Sequence, residues 1–218
     1  MAELILVRHG QASFGADDYD KLSELGWRQS RWLGEHFRER GVRFDRVLRG
    51  TLRRHDETVR GIFEGLGVDV VPAADPGLNE YDSHALLEAH GRPAEGTDRR
   101  AHFRLLREAL SAWTEGTLQG DAHESFSAFR ARVLGALEAL QDDAAAQRVL
   151  VVTSGGPIST FVSAVTGMPQ RMMVDLNLQT RNAGITEFRV GSRGFSLVSF
   201  NNVPHLDRPD RADALTYA

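Results

Sequence analysis

The sequence contains no cysteine in its 218 residues. This absence excludes disulfide bonds, thiol nucleophiles and thiolate metal sites. The sequence also lacks an apolar run as long as a membrane span, and its first apolar run reaches Arg8 too early for a signal-peptide core. We therefore expect a cytoplasmic protein without a membrane partner.

An excess of positive charge is also missing. The formal net charge is −4, so the protein has no general field that would attract nucleic acid, and no nucleic-acid partner is expected. Arginines do cluster locally, at residues 46–60 and 99–107, and a local cluster is sufficient to bind a small anion. No His-x-x-x-His pair occurs, and neither a metal nor a cofactor is expected.

Hydrophobic periodicity predicts the fold class. Short apolar runs predict strands at residues 4–7, 44–48, 68–71, 149–152, 184–190 and 195–200, the last two as an edge hairpin. Helical spacing predicts helices at residues 22–40, 51–65, 125–140 and 158–166, and Ser23 is expected to be the N-cap of the first. This alternation predicts one α/β domain, a three-layer sandwich with a mostly parallel central sheet. Residues 75–120 carry no strand signal, and we expect a cap-like insertion there.

Two turns carry the candidate chemistry. The first predicted strand runs into Arg8-His9-Gly10, and the strand at residues 149–152 runs into a second glycine-rich turn, Thr153-Ser154-Gly155-Gly156-Pro157. Functional loops of such sheets lie at the carboxyl ends of the strands. The two turns are therefore expected to meet at one edge.

The first turn also carries a family resemblance. LVRHGQ at residues 6–11 resembles the signature of the histidine phosphatase superfamily, which includes the cofactor-dependent phosphoglycerate mutases. Further motifs resemble that family in the same order: LSELGWRQ at 22–29, LRRHDET at 52–58, LNE at 78–80, HES at 123–125 and VVTSGGPI at 151–158. The resemblance spans nearly the whole chain and implies a phosphoglycerate mutase-like fold and phosphoryl transfer through a phosphohistidine.

The resemblance implies roles for particular residues. His9 is the expected nucleophile, Arg8 and Arg54 are expected to bind the phosphate oxygens, and Glu80 is expected to protonate the leaving oxygen. These residue types suit the chemistry, because guanidinium groups bind phosphate through paired charged hydrogen bonds and a neutral imidazole is available near pH 7. Further expected contacts to phosphate or substrate come from Gly10, Gln11, Ser13, Gly155 and His123.

Ser154 is the main departure from the family pattern. It stands where the family usually has a second histidine that donates a hydrogen bond to the transferring phosphoryl group, and a serine hydroxyl is a weaker, neutral donor. We considered His123 as the best candidate to compensate, with His84, His90 and His205 as weaker ones. The segments at residues 13–18 and 81–85 also depart from the family pattern, so the substrate pocket is not recognisable.

Three functions remain open at this point. The favoured one is a metal-independent phosphomonoesterase acting on a small phosphorylated metabolite. The alternatives are a phosphoglycerate-type mutase and a protein that binds a phosphate ester or inorganic phosphate with little or no catalysis. A serine hydrolase is disfavoured, because Val152 occupies the position of the first glycine in a Gly-x-Ser-x-Gly turn. A homodimer is compatible with the sequence.

Overall fold

The strands form one central sheet. The computed structural model describes residues 2–13, 20–91, 99–120, 124–141 and 147–217. Within these residues the strands are Ala2–Arg8 (β1), Arg46–Arg49 (β2), Ala73–Ala74 (β3), Arg148–Thr153 (β4), Ile185–Gly191 (β5) and Gly194–Asn202 (β6). Their order is β3-β2-β4-β1-β5-β6. The first four in this order are parallel, and β5 and β6 form an antiparallel hairpin at the edge, which confirms the mostly parallel sheet and its predicted hairpin.

Helices cover both faces of this sheet. Those in the described part of the chain are Glu24–Glu39 (α1), Arg53–Leu66 (α2), Ser83–Ala89 (α3), Arg99–Thr114 (α4), Phe126–Glu138 (α5), Gly155–Thr166 (α6) and Met172–Gln179 (α7), with short 3-10 helices at Pro76–Leu78 and Pro209–Ala214. The predicted N-cap of α1 is confirmed. The Ser23 hydroxyl accepts a hydrogen bond from the Gly26 N–H at 3.1 Å, which satisfies one of the free amides of the first turn.

The alternation of side chains along β1 separates two apolar clusters. Leu4 and Leu6 point to one face and Ile5 and Val7 to the other, since successive side chains of a strand point in opposite directions. The face of Ile5 and Val7 packs against α1 and α2, whereas the face of Leu4 and Leu6 packs against α5 and α6. Helices on both faces of a sheet form a three-layer α/β sandwich, as predicted.

The predicted strand at residues 68–71 is wrong. Val68, Val70 and Val71 are 42%, 47% and 92% exposed, and the strand that pairs with β2 is the two-residue β3 that follows them. A run of valines has high β-propensity, but that propensity reflects packing on a half-buried sheet surface. Here the register brings only Ala73 and Ala74 beside the end of β2.

The segment at residues 75–120 contributes the first 3-10 helix, α3 and α4. Its apolar side chains Leu86, Leu110 and Trp113 are buried in the same cluster as Leu4 and Leu6 of β1. The segment therefore packs on the α5 and α6 face of the sheet. That it acts as a cap for the substrate remains a prediction.

Candidate active site

The two predicted turns meet at the carboxyl ends of β1 and β4. These strands are parallel neighbours, and the Arg8 and Thr153 positions face each other at the end of the register. Immediately beyond, the His9 N–H donates a hydrogen bond to the Thr153 carbonyl at 2.9 Å. The parallel sheet therefore places the first motif beside the second, although about 145 residues separate them in the chain.

A small cavity lies at this junction. Its volume is about 100 Å³. Its lining brings together four residues predicted from the sequence, Arg8, His9, Arg54 and Glu80. The rest of the lining comes from the segment after Glu80 and from α4 and α7, and consists of Tyr81, Ser83, His102, Phe103, Leu106, Asn177 and Leu178.

His9 is held as a neutral imidazole with a defined tautomer. Its Nδ1 lies 2.7 Å from the Gly10 carbonyl oxygen, which can only accept, so Nδ1 carries the proton and Nε2 keeps its lone pair. Burial lowers the pKa of His9 well below its usual value, and the charges of Arg54 and Arg8 lower it further. An unprotonated Nε2 beside two guanidinium groups has the properties of a nucleophile toward phosphorus.

The two arginines reach the cavity from different elements. Arg8 ends β1, is buried, and donates from Nη1 to the Thr180 carbonyl. Arg54 lies in the first turn of α2 and donates from Nη1 to Asp20 at 2.6 Å. A second Asp20 oxygen accepts the Arg53 N–H at 2.8 Å, so this carboxylate orients the start of α2. Two guanidinium groups converging on one cavity attract a small polyanion such as a phosphate ester.

Glu80 lies against the first turn of α6. The Gly156 N–H is 3.2 Å from each Glu80 carboxylate oxygen, and a Cβ at position 156 would lie 2.2 Å from Oε1, so only glycine leaves room for this contact. Burial raises the pKa of Glu80, although the Gly156 hydrogen bond and the charges of Arg54 and Arg8 act in the opposite direction. A carboxyl group with a raised pKa is suited to donate a proton.

An ion pair outside the cavity holds the Glu80 segment in place. Arg132 of α5 donates from Nη1 to the Asn79 carbonyl at 2.8 Å and to the Gly77 carbonyl at 3.0 Å. Glu124 pairs with the same guanidinium at 2.8 Å. The glutamate of the HES motif is therefore connected to the segment that carries Glu80 through Arg132.

Ser154 is fully buried at the start of α6 and makes an unexpected contact. Its hydroxyl makes no capping hydrogen bond and lies 2.8 Å from Nε2 of His55, a fully buried residue of α2. The His55 ring lies 5.8 Å from the His9 ring, centroid to centroid. Sequence reasoning did not select His55, although its place directly after Arg54 in the LRRHDET motif was a usable signal.

The other predicted contact residues make contacts within the fold. The Gly10 N–H donates to the Thr58 hydroxyl at 3.0 Å, and the Gln11 side chain accepts from the Ser23 hydroxyl at 2.7 Å. The Ser13 N–H donates to the Lys21 carbonyl at 2.9 Å, and Gly155 packs against the Asn177 side chain. None of these four residues is among the described residues that line the cavity.

The histidines considered as compensating donors lie elsewhere. His123 is outside the described residues. The His84 side chain on α3 is 69% exposed, and His90 follows the end of α3, where it lies 3.7 Å from Glu108. His205 is buried beside His36. The described lining of the cavity contains none of these three.

Within the described ranges, no group of three or more acidic or histidine side chains is arranged to hold a metal ion. No helix in the described part of the chain has the length and apolar character needed to cross a membrane.

Comparison with known proteins identifies the family. The family model of the histidine phosphatase superfamily (branch 1) matches residues 4–203. The chain belongs to this superfamily. A 2,3-bisphosphoglycerate-dependent phosphoglycerate mutase from Methylobacterium radiotolerans is 30% identical to it over 190 residues, covering 81% of this chain and 85% of the mutase.

Solved structures of other proteins share the fold. The α-ribazole phosphatase from Shigella flexneri matches with a TM-score of 0.67 and 23% identity, over 92% of this chain and 96% of that one. A phosphoserine phosphatase mutant from Entamoeba histolytica, in complex with phosphoserine, matches with a TM-score of 0.65 and 19% identity, over 94% of this chain and 100% of that one. The similar proteins are phosphatases and mutases, which supports a phosphoryl-transfer enzyme in general.

Proposed function

We propose that this protein is a phosphomonoesterase that acts on a small phosphorylated metabolite through a phosphohistidine intermediate on His9. The observation that carries the proposal is the shared cavity, in which His9, unprotonated at Nε2, lies with Arg8, Arg54 and Glu80. A nucleophile, two phosphate-binding cations and a protonatable carboxyl are the groups that a two-step phosphoryl transfer requires.

The proposed reaction has two steps, transfer of the phosphoryl group to His9 and hydrolysis of the phosphohistidine. Nε2 of His9 forms a bond to phosphorus as the ester P–O bond breaks, and Glu80 gives its proton to the leaving oxygen. Water then attacks phosphorus and transfers a proton to the Glu80 carboxylate, and the N–P bond breaks to release inorganic phosphate. Arg8 and Arg54 balance the negative charge of the phosphoryl oxygens in both halves, so we expect turnover in EDTA.

The cavity wall favours a substrate that is uncharged outside its phosphoryl group. Tyr81, Phe103, Leu106 and Leu178 present aromatic and aliphatic surface, and the arginines of the described lining are Arg8 and Arg54. A phosphoglycerate carries a carboxylate that would need a further cation, because a buried unpaired charge is costly, and the described lining adds His102 but no third arginine and no lysine. This wall supports a phosphomonoesterase over a phosphoglycerate mutase.

The test is hydrolysis of p-nitrophenyl phosphate in EDTA by the wild type and by His9→Ala, with His84→Ala as the control because His84 is an exposed histidine of α3. We expect hydrolysis that His9→Ala abolishes and His84→Ala leaves unchanged, together with an acid-labile phosphoryl group on the wild type after rapid quenching. Interconversion of phosphoglycerates without phosphate release would identify a mutase. Phosphate binding without a phosphoenzyme would identify a binding protein.

A further inference from the structure

Ser154 and His55 form a buried side-chain contact close to His9. Ser154 follows β4 and His55 lies in the first turn of α2, and their side chains meet at 2.8 Å across 99 residues of chain. Serine is a strongly preferred N-cap residue, yet this hydroxyl makes no capping bond. The Ser154 hydroxyl forms its hydrogen bond with the His55 imidazole instead.

The position of the proton on His55 follows from its surroundings. Within the described residues, His55 Nδ1 is buried without a hydrogen-bond partner. A buried N–H without a partner is rarer than an unused acceptor, so the proton belongs on Nε2. His55 then donates to the Ser154 oxygen, and the Ser154 hydroxyl keeps its own proton for another acceptor.

The surroundings of His55 are shaped to hold a ring. A Cβ at position 50 would lie 2.2 Å from His55 Nδ1, so the imidazole occupies space that only a glycine leaves open. The ring lies 5.8 Å from that of His9, and burial, with the charges of Arg54 and Arg49, lowers its pKa well below its usual value. A second neutral imidazole therefore stands beside the nucleophile.

We propose that His55 and Ser154 together take the place of the second catalytic histidine. His55 donates from Nε2 to Ser154 and fixes the hydroxyl so that its proton serves the phosphoryl group transferred to His9. His55 is a positioning residue, because it acts through Ser154. This inference rests on the proposed phosphoryl transfer at His9, and its tests include one that does not depend on turnover.

The first test is a double-mutant cycle on kcat for p-nitrophenyl phosphate. We expect Ser154→Ala to lower kcat roughly 100- to 1000-fold, the usual effect of removing one transition-state donor. We expect His55→Leu to lower kcat by about tenfold, with little change in KM, because tenfold corresponds to about 1.4 kcal/mol and one oriented hydrogen bond contributes about that much. The double variant should be no slower than Ser154→Ala alone. Additive losses would overturn the proposed coupling.

Rescue by substitution separates positioning from packing. His55→Gln retains an amide donor that reaches as far as Nε2, so it should recover most of the kcat that His55→Leu loses. The variant His55→Ala/Ser154→His returns the imidazole to position 154 and should be faster than either single variant. If His55→Ala/Ser154→His is no faster than either single variant, the two positions do not share one role and the proposal is wrong.

Binding of orthovanadate, which mimics the transferring phosphoryl group, provides a test without turnover. His55→Leu should weaken orthovanadate binding by about tenfold and inorganic phosphate binding much less, because the oriented hydroxyl acts on the transition state. His205→Leu, at a buried histidine outside the cavity, is the control and should change neither affinity. Equal weakening of both ligands in His55→Leu would overturn the inference.

Failure of this inference can be told apart from failure of the proposed function. Loss of turnover in His9→Ala together with wild-type kcat in His55→Leu would refute this inference alone.

Discussion

His205 is expected to make the folded protein sensitive to acid. It is 2% exposed, and both of its ring nitrogens lack hydrogen-bond partners in the described part of the chain. Burial lowers its pKa from 6.5 to about 3, with further contributions from His36 and Arg211. Protonation of the buried ring is therefore unfavourable, whereas the same histidine in the unfolded chain is protonated readily.

The size of the effect follows from proton linkage. Between pH values near 6.5 and 3 the unfolded chain binds more protons at this site than the folded chain, so the free energy of unfolding falls as the pH falls. With a folded pKa of about 3 and an unfolded pKa of 6.5, lowering the pH from 8 to 5 removes about 2 kcal/mol of stability. Replacement of His205 by a group that does not titrate removes this contribution.

The assay is urea unfolding of the wild type, His205→Phe and His84→Gln at pH 8 and pH 5. Phenylalanine is larger than imidazole and can change stability at both pH values. The decisive quantity is therefore the change in the free energy of unfolding between pH 8 and pH 5 for each protein. His205→Phe should lose about 2 kcal/mol less than the wild type between pH 8 and pH 5. The exposed His84 serves as the control and should leave the loss unchanged. An equal loss in the wild type and His205→Phe would refute the reasoning.

Two further predictions concern the proton donor and the helix packing. Glu80→Gln should lower kcat/KM for an alkyl phosphate roughly 100- to 10,000-fold, and should lower it less for p-nitrophenyl phosphate, whose leaving group needs no proton. For the alkyl phosphate, wild-type kcat/KM should fall as the pH rises through the raised pKa of Glu80, and equal losses on both substrates would contradict the acid role. Gly34→Ala should reduce the free energy of unfolding by about 1–3 kcal/mol or more, because its Cβ would lie 2.0 Å from the Ile62 carbonyl oxygen. Gly135→Ala, in an open helical position, should instead increase it by about 0.5–1 kcal/mol, and similar effects of the two changes on urea unfolding would contradict this packing.

The chain belongs to the histidine phosphatase superfamily, and its structure separates the residues that line the cavity from those that hold the segment beside it. Arg8, His9, Arg54 and Glu80 line the cavity, whereas Arg132 and Glu124 hold the segment that carries Glu80. Gly156 makes room for the Glu80 carboxylate against α6. Precise placement of a few groups by packed neighbours is what phosphoryl transfer requires.

The sequence by itself determined the features that depend on local chemistry and motif order. The apolar run before Arg8, the N-cap at Ser23 and the alternation of strands and helices each reflect interactions between residues close in the chain. The α/β class, the edge hairpin and the meeting of the two glycine-rich turns followed from them, since parallel strands have a fixed relation to the loops that follow.

Only the tertiary structure decided the features that depend on contacts between distant residues. The valines at residues 68–71 were predicted as a strand from propensity, but sheet register paired Ala73 and Ala74 instead. The sequence pointed to His123, His84, His90 and His205 as groups that could compensate for Ser154, whereas the side chain that contacts Ser154 is His55, 99 residues away and fixed by the packing of α2 beside β4. Local sequence does not specify which side chains meet across a core, because that choice is made by the register of the sheet and the packing of the helices upon it.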